Sequence, residues 1–138
     1  MVYLLDQGGE FDAPIEKVWK LQEDNPNHTH ADMQNLRASM EGGHSVLDFE
    51  TPMQGGNVKQ QLRTTPFPPL GFLMEYTEGP MKGTKLMQFY IPKGKKTGVT
   101  VVGELQSSMM SGDQLKKAVQ ASLDKAYNED KQNLKKLK

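Results

Sequence analysis

Glu10-Phe11-Asp12-Ala13-Pro14-Ile15-Glu16-Lys17-Val18-Trp19 reads as the end of a strand that runs straight into a short helix. Proline suits a first helical turn, because the N–H it lacks would have no partner there and its φ is already set. Asp12 stands where a cap is wanted, and Glu16 lies near the positive end of the helix dipole. Ile15, Val18, Trp19 and Gln22 recur at helical spacing, so a helix over Pro14 to Gln22 is expected, with Trp19 packed inward. The segment 2–11 before it reads as a strand. Glu23 to Gln34 after it is polar, with Pro26 and two histidines, and reads as a loop with room for one more helical turn.

Beyond this point, turn signals punctuate short apolar runs. They fall at Glu41-Gly42-Gly43, Gln54-Gly55-Gly56-Asn57, Pro66 to Gly71, Glu78-Gly79-Pro80, Pro92 to Gly98 and Ser107 to Gly112. Such spacing predicts consecutive antiparallel hairpins, with strands over 35–41, 45–52, 57–65, 71–78, 84–91 and 99–107. Alternation assigns inward faces to Leu36, Ala38 and Met40, to Phe72, Met74 and Tyr76, to Met87, Phe89 and Ile91, and to Val99 and Val101. For 45–52 and 57–65 either parity fits. Asp48 and Glu50 oppose Leu47 and Phe49, which puts both carboxylates on a wet outer face. Pro66-Phe67-Pro68-Pro69-Leu70-Gly71 reads either as a rigid loop or as a break of a long strand at a bend, the second being favoured.

A long amphipathic helix is expected over Gly112 to Leu137. Ser111-Gly112-Asp113-Gln114 has capping-box spacing. Leu115, Val119, Ser122, Ala126 and Tyr127 trace one stripe, flanked by Ala118 and Leu123, and four lysines crowd the negative end of the dipole. At about 1.5 Å per residue the helix is roughly 39 Å long, enough to cross seven strands. The order strand, short helix, six strands, long helix implies one α+β domain over 1–138. Its final helix would cover the concave face of a curved antiparallel sheet.

Composition narrows the chemistry. Seventeen basic and seventeen acidic residues balance, so no net field attracts nucleic acid. Without cysteine there is no disulfide, thiolate nucleophile or cysteine-ligated zinc, and a reducing cytoplasmic setting is expected. No apolar run approaches the ~20 residues of a membrane span, so stable membrane insertion is not expected. Asn27-His28-Thr29 matches a glycosylation sequon by chance. His28, His30 and Asp32 lie close in sequence, but a polar loop supplies no rigid shell for zinc, and no metal or other cofactor is expected. His44 follows a glycine pair and belongs to a turn. Gly94-Lys95-Lys96-Thr97 is not a phosphate loop, because Phe89 stands where its first glycine belongs.

The Ala13-to-Trp19 stretch, followed by Leu21 and Asp24, resembles the opening of the START-like superfamily. That superfamily comprises polyketide cyclases/dehydrases, lipid-transfer START domains and birch-pollen-type allergens. The resemblance in element order covers nearly the whole chain, and the motif itself about a dozen residues. It implies the helix-grip fold, with short helices after strand 1 and a cavity between sheet and last helix that takes a hydrophobic or amphipathic small molecule. Nine methionines, adaptable at binding surfaces, fit that expectation. The cavity lining expected on this basis is Met40, Phe72, Met74, Tyr76, Met87, Phe89, Met109, Leu115, Val119 and Ser122. Tyr76, Tyr90 and Tyr127 are the candidate polar groups, although Tyr90 and Met87 have opposite parity. No catalytic residue stands out. The family readings are ligand binding, a cyclase/dehydrase-type enzyme, or a protein-interaction module using the basic tip at Lys93 to Lys96.

Overall fold

The computed structural model describes residues 2–23, 30–53 and 55–137. Strand β1 spans Val2–Phe11 and helix α1 Ile15–Glu23. Six strands follow: β2 (Gln34–Glu41), β3 (His44–Met53), β4 (Gly56–Phe67), β5 (Gly71–Glu78), β6 (Lys85–Lys93) and β7 (Lys96–Leu105). Helix α2 (Gly112–Lys136) ends the chain. The seven strands form one antiparallel sheet in the order β1-β7-β6-β5-β4-β3-β2. All consecutive strands from β2 to β7 pair as hairpins, and only β1 joins from a distance, on the far side of β7. Pro68 to Leu70, with a cis Pro68–Pro69 bond, form the hairpin turn between β4 and β5, and Pro66, Phe67 and Gly71 belong to the paired strands.

Two apolar clusters fill the concave side. In one, Val18 and Leu21 of α1 pack with Phe11, Tyr90, Val99 and Leu134, and Trp19 and Phe72 lie against them. In the other, Leu115 and Val119 of α2 meet Leu4, Leu86, Val101 and Leu105. Trp19 is half-buried, with its ring 6.5 Å from that of Phe72 and 6.3 Å from that of Tyr90. Its Nε1 donates to Glu23 at 2.8 Å. The turn between β1 and α1 is fixed by Thr97, whose fully buried hydroxyl donates to the Ala13 carbonyl at 2.7 Å.

Helix α2 is seated on β1 at a bulge between Asp6 and Gly9. Gly9 has φ +104°, and a Cβ there would stand 2.9 Å from the Tyr127 hydroxyl. That hydroxyl donates to the Glu10 carbonyl at 2.8 Å, and the Tyr127 ring lies 5.1 Å from that of Phe11. Glycine is required here both by backbone conformation and by the close approach of the helix side chain. The N-terminus of α2 departs from the capping-box expectation. Ser111 occupies the cap position with extended backbone but makes no side-chain cap bond. The helix is held by its buried face instead of its first turn.

Two of the inward assignments are corrected. The inner row of β6 is Leu86, Gln88 and Tyr90, because these pair with Met74, Phe72 and Val99 on the helix side. Met87, Phe89 and Ile91 therefore point to the convex face. On α2 the buried stripe runs Leu115, Val119, Leu123, Tyr127, Asp130 and Leu134, so Ser122 lies exposed beside it.

Gly103 sits on the inner row between Leu4 and Leu86, and a Cβ there would come within 2.2 Å of the Lys85 carbonyl oxygen. Neither backbone nor core can yield that distance. Gly103→Ala is expected to destabilise the fold by about 2 kcal/mol or more, measured by urea denaturation.

Candidate ligand site between helix and sheet

A hollow remains between α2 and the inner face of β1, β7 and β6. Its walls are apolar at Phe11, Val99, Val101, Leu123 and Ala126, and polar at Asp6, Gln88, Tyr127 and Asp130. The volume is only about 40 Å³, room for roughly one to three waters. Drug-sized ligands occupy pockets of about 300 Å³ or more, so in this state the two layers are nearly shut.

The polar groups in and near the hollow are bonded in separate pairs. Tyr90 is buried, and its hydroxyl oxygen accepts from Gln88 Nε2 at 2.8 Å. Burial first, and then the negative charge of Asp130, push the Tyr90 phenol well above its ordinary range, with the Gln88 bond opposing. Tyr76 on β5 is pushed up to about 12, by burial and then by Asp32. Both phenols stay protonated at neutral pH and can only donate or accept hydrogen bonds. Asp130 is 7% exposed on an otherwise apolar stripe, and Asn133 one turn on donates to it at 3.4 Å.

Residues 30–33 strap α2 to the far half of the sheet. His30 reaches Glu129 through Nδ1 at 2.7 Å and Asp130 through Nε2 at 3.3 Å. The Ala31 amide donates to Glu129 at 3.1 Å. Lys125 pairs with Asp32 at 3.0 Å, and Ser122 donates to it at 3.4 Å. On the other side the Asp32 carbonyl accepts from Thr51 of β3 at 2.8 Å, and Gln60 of β4 donates to Thr51 at 2.9 Å. A solvent-open depression of about 420 Å³ lies on the outside of this strap, between His30 and Lys136.

The ten expected lining residues fare unequally. Leu115 and Val119 are buried on the sheet-facing side of α2, and Phe72, Met74 and Tyr76 lie on the inner face of β5. Met40 has the inward register but is 69% exposed on edge strand β2, beyond the reach of the helix. Met109 is 55% exposed in the loop before α2. Met87 and Phe89 are excluded by parity, and Ser122 by its position beside the stripe. None of the ten borders the hollow itself. Asp6, Gln88 and Asp130, which do, went unnoticed in the sequence. Each had a signal: a polar residue in phase with apolar neighbours, between Leu4 and the Gly8-Gly9 pair, between Leu86 and Tyr90, and between Tyr127 and Leu134.

Other candidates resolve simply. His28 lies outside the described residues, and His30 is engaged with two carboxylates of α2. Among the described residues no cluster of three or more His, Cys, Asp or Glu side chains is placed to hold a metal ion. His44 opens β3, with Nδ1 2.7 Å from the Thr65 hydroxyl. Asp48 is exposed on the outer face and accepts from Gln61 at 3.0 Å. In the basic tip, Lys93 pairs with Glu10 at 2.8 Å, which holds that carboxyl below its usual range. No helix among the described residues is long and apolar enough to cross a membrane.

For His30, burial is the largest effect and lowers the pKa, but hydrogen bonds and charge from Asp130 and then Glu129 outweigh it. The folded-state value therefore rises above the ordinary 6.5. Stabilisation from the protonated ring is then complete below about pH 6.5 and fades as pH climbs through the folded-state value. The urea midpoint of the wild type should fall as the pH is raised above about 6.5, and His30→Gln should flatten that fall. An unchanged slope in the variant would mean that His30 does not fasten the strap.

No protein-family model matches the sequence, and no curated protein sequence matches it. Solved structures do match in shape. TTHA0849 from Thermus thermophilus superposes with a TM-score of 0.75 at 16% identity, over 98% of this chain and 97% of that one. Zhui aromatase/cyclase from Streptomyces sp. R1128 gives 0.69 at 12% identity, over 96% and 90%. Ara h 8.0201 gives 0.72 at 10% identity, over 98% of each. The chain spans about half, 49%, of the di-domain aromatase/cyclase BexL. At these identities the likeness concerns architecture. The seven-stranded curved sheet gripped by α2 is a helix-grip α+β fold, an architecture shared with the aromatase/cyclase and Ara h 8.0201 structures.

Proposed function

We propose that this protein binds a small hydrophobic or amphipathic molecule between α2 and the concave face, in the cytoplasm. One observation carries the reading. The layers meet on polar groups, Asp6, Gln88 and Asp130, set into an apolar wall. Burying the Asp130 carboxylate costs free energy that leucine at that place would avoid. Apolar walls with a few placed polar groups are the usual make-up of a small-molecule site. At about 40 Å³ the hollow admits no such ligand until α2 and the sheet part. Half-buried Met74, Met81 and Met110 flank the cluster around Leu115 and Val119 and can repack as they do so. The apolar part of the ligand would lie along Val99, Val101 and Leu123, and its polar end against Asp6, Gln88 and Asp130.

Organic extraction of the purified protein followed by mass spectrometry, with displacement of a fluorescent fatty acid and of anilinonaphthalene sulfonate, tests the proposal. The wild type should bind at least one probe, and Ala126→Trp, which fills the hollow, should weaken binding at least about tenfold. Probe affinity indifferent to the tryptophan would place the ligand elsewhere, and no binding of any probe would refute the reading.

A second reading, acid–base assistance to a cyclisation or dehydration of a polyketide-like substrate, is favoured by Tyr90 beside Gln88 and Asp130. A phenol kept protonated by burial can donate a hydrogen bond to a carbonyl as negative charge develops on it. Here Tyr90→Phe should keep probe binding within about threefold and lose turnover by about 100-fold or more. Turnover that survives the substitution would dismiss this reading.

A further inference from the structure

Both helices lie on the concave side of the sheet, and among the described residues nothing covers the convex side. On that face the register lines up side chains across strands. Leu5 pairs with Val102, Val102 with Met87, Met87 with Leu73 and Leu73 with Thr65, so four apolar side chains stand in one row across β1, β7, β6 and β5. Phe67 and Phe89, with rings 6.1 Å apart, extend it on one side. Leu5 is 62% exposed, and Val102, Met87, Leu73 and both phenylalanines are half-buried with no second layer above them. An outward face of an antiparallel sheet ordinarily alternates to polar residues. A contiguous apolar row is what an interaction surface looks like.

The neighbouring row says what kind of partner fits. It reads Glu104, Lys85, Glu75 and Arg63 across β7, β6, β5 and β4. Within the chain, Arg63 Nη2 meets Glu75 at 3.4 Å. The sequence of charges is minus, plus, minus, plus. A two-fold axis running along the strands, midway between β5 and β6, reverses this row and lays it on itself. Glu104 then faces Arg63 of the second copy, and Lys85 faces its Glu75, so every facing pair is opposite in sign. The same rotation sets Met87 on Leu73. An isologous interface requires this kind of self-complementarity, and face-to-face sheets pack within about 30° of parallel.

We propose that the convex face, centred on Met87, Leu73, Lys85 and Glu75, is a self-association surface for a second copy of this chain. The interface leaves the concave site untouched and is independent of any ligand.

Sedimentation equilibrium of the full chain over about 1 to 500 µM tests it. A species near 31 kDa, twice 15.5 kDa, is expected at the upper end. Met87→Lys should weaken association at least about tenfold. Lys85→Glu should weaken it as well, and Glu75→Lys with Lys85→Glu together should bring it back to within about threefold of wild type, since the swap keeps facing charges opposite. A wild type that stays monomeric throughout overturns the proposal. So does a Met87→Lys protein that associates as well as wild type, or a double variant no better than Lys85→Glu. Near-ultraviolet circular dichroism matching wild type establishes that each variant compared is folded.

Discussion

How closely α2 approaches β1 sets nearly everything else about this molecule. The approach is fixed where Tyr127 enters the bulge at Gly9 and donates to the Glu10 carbonyl. Any side chain at Gly9 would push the helix away, and any lengthening there would break the bond. With the middle of the helix pinned at Tyr127, Leu115 and Val119 pack into one apolar cluster and Leu134 into the other. The hollow is the space left between those two clusters, and its walls are whatever β1, β7 and β6 present inward between them. That is why it is small and why it contains Asp6 and Gln88.

The same seating takes Asp130 out of water, and the strap follows from that. A carboxylate at 7% exposure needs partners. Asn133 supplies one from α2, and His30 supplies another from the segment after α1. Because Glu129 and Lys125 hold the neighbouring residues of that segment, the strap reaches Thr51 and closes the gap between α2 and β3. A buried charge on one element thereby organises a connection that carries no apolar anchor of its own. His30 is the part of this strap that titrates near neutral pH, while the Ala31, Asp32 and Thr51 contacts do not involve it.

The architecture was legible because element order and turn chemistry are local properties. Proline and glycine punctuate all the hairpins, and the long stripe of α2 has no other explanation. Facing was legible only where one parity was clearly poorer. On β5, Phe72, Met74 and Tyr76 alternate with Leu73, Glu75 and Thr77, and the choice holds. On β6, Met87, Phe89 and Ile91 look more apolar than Leu86, Gln88 and Tyr90, yet the latter row faces α2. Polarity misled because both faces of β6 carry apolar groups, the inner ones around a polar hollow and the outer ones on an uncovered surface. The Ser122 assignment failed by one residue, since a stripe on a 3.6-residue repeat drifts and Leu123 continues it as well as Ser122. Asp130 was missed because periodicity counts only apolar residues, while burial here selected a charge that has partners.

The two ends of the hollow are held very differently, and this bears on how it could open. Toward Leu134 the packing is rigid: aromatic rings from α1, β5 and β6 meet there, and Phe11 lies under Tyr127. Toward Leu115 the borders are methionines, and the helix begins at Ser111 without a side-chain cap. Lifting the N-terminal end of α2 would expose buried Leu115 and Val119 but break no capping bond, whereas lifting the other end would break the Tyr127 anchor, the strap and an aromatic cluster.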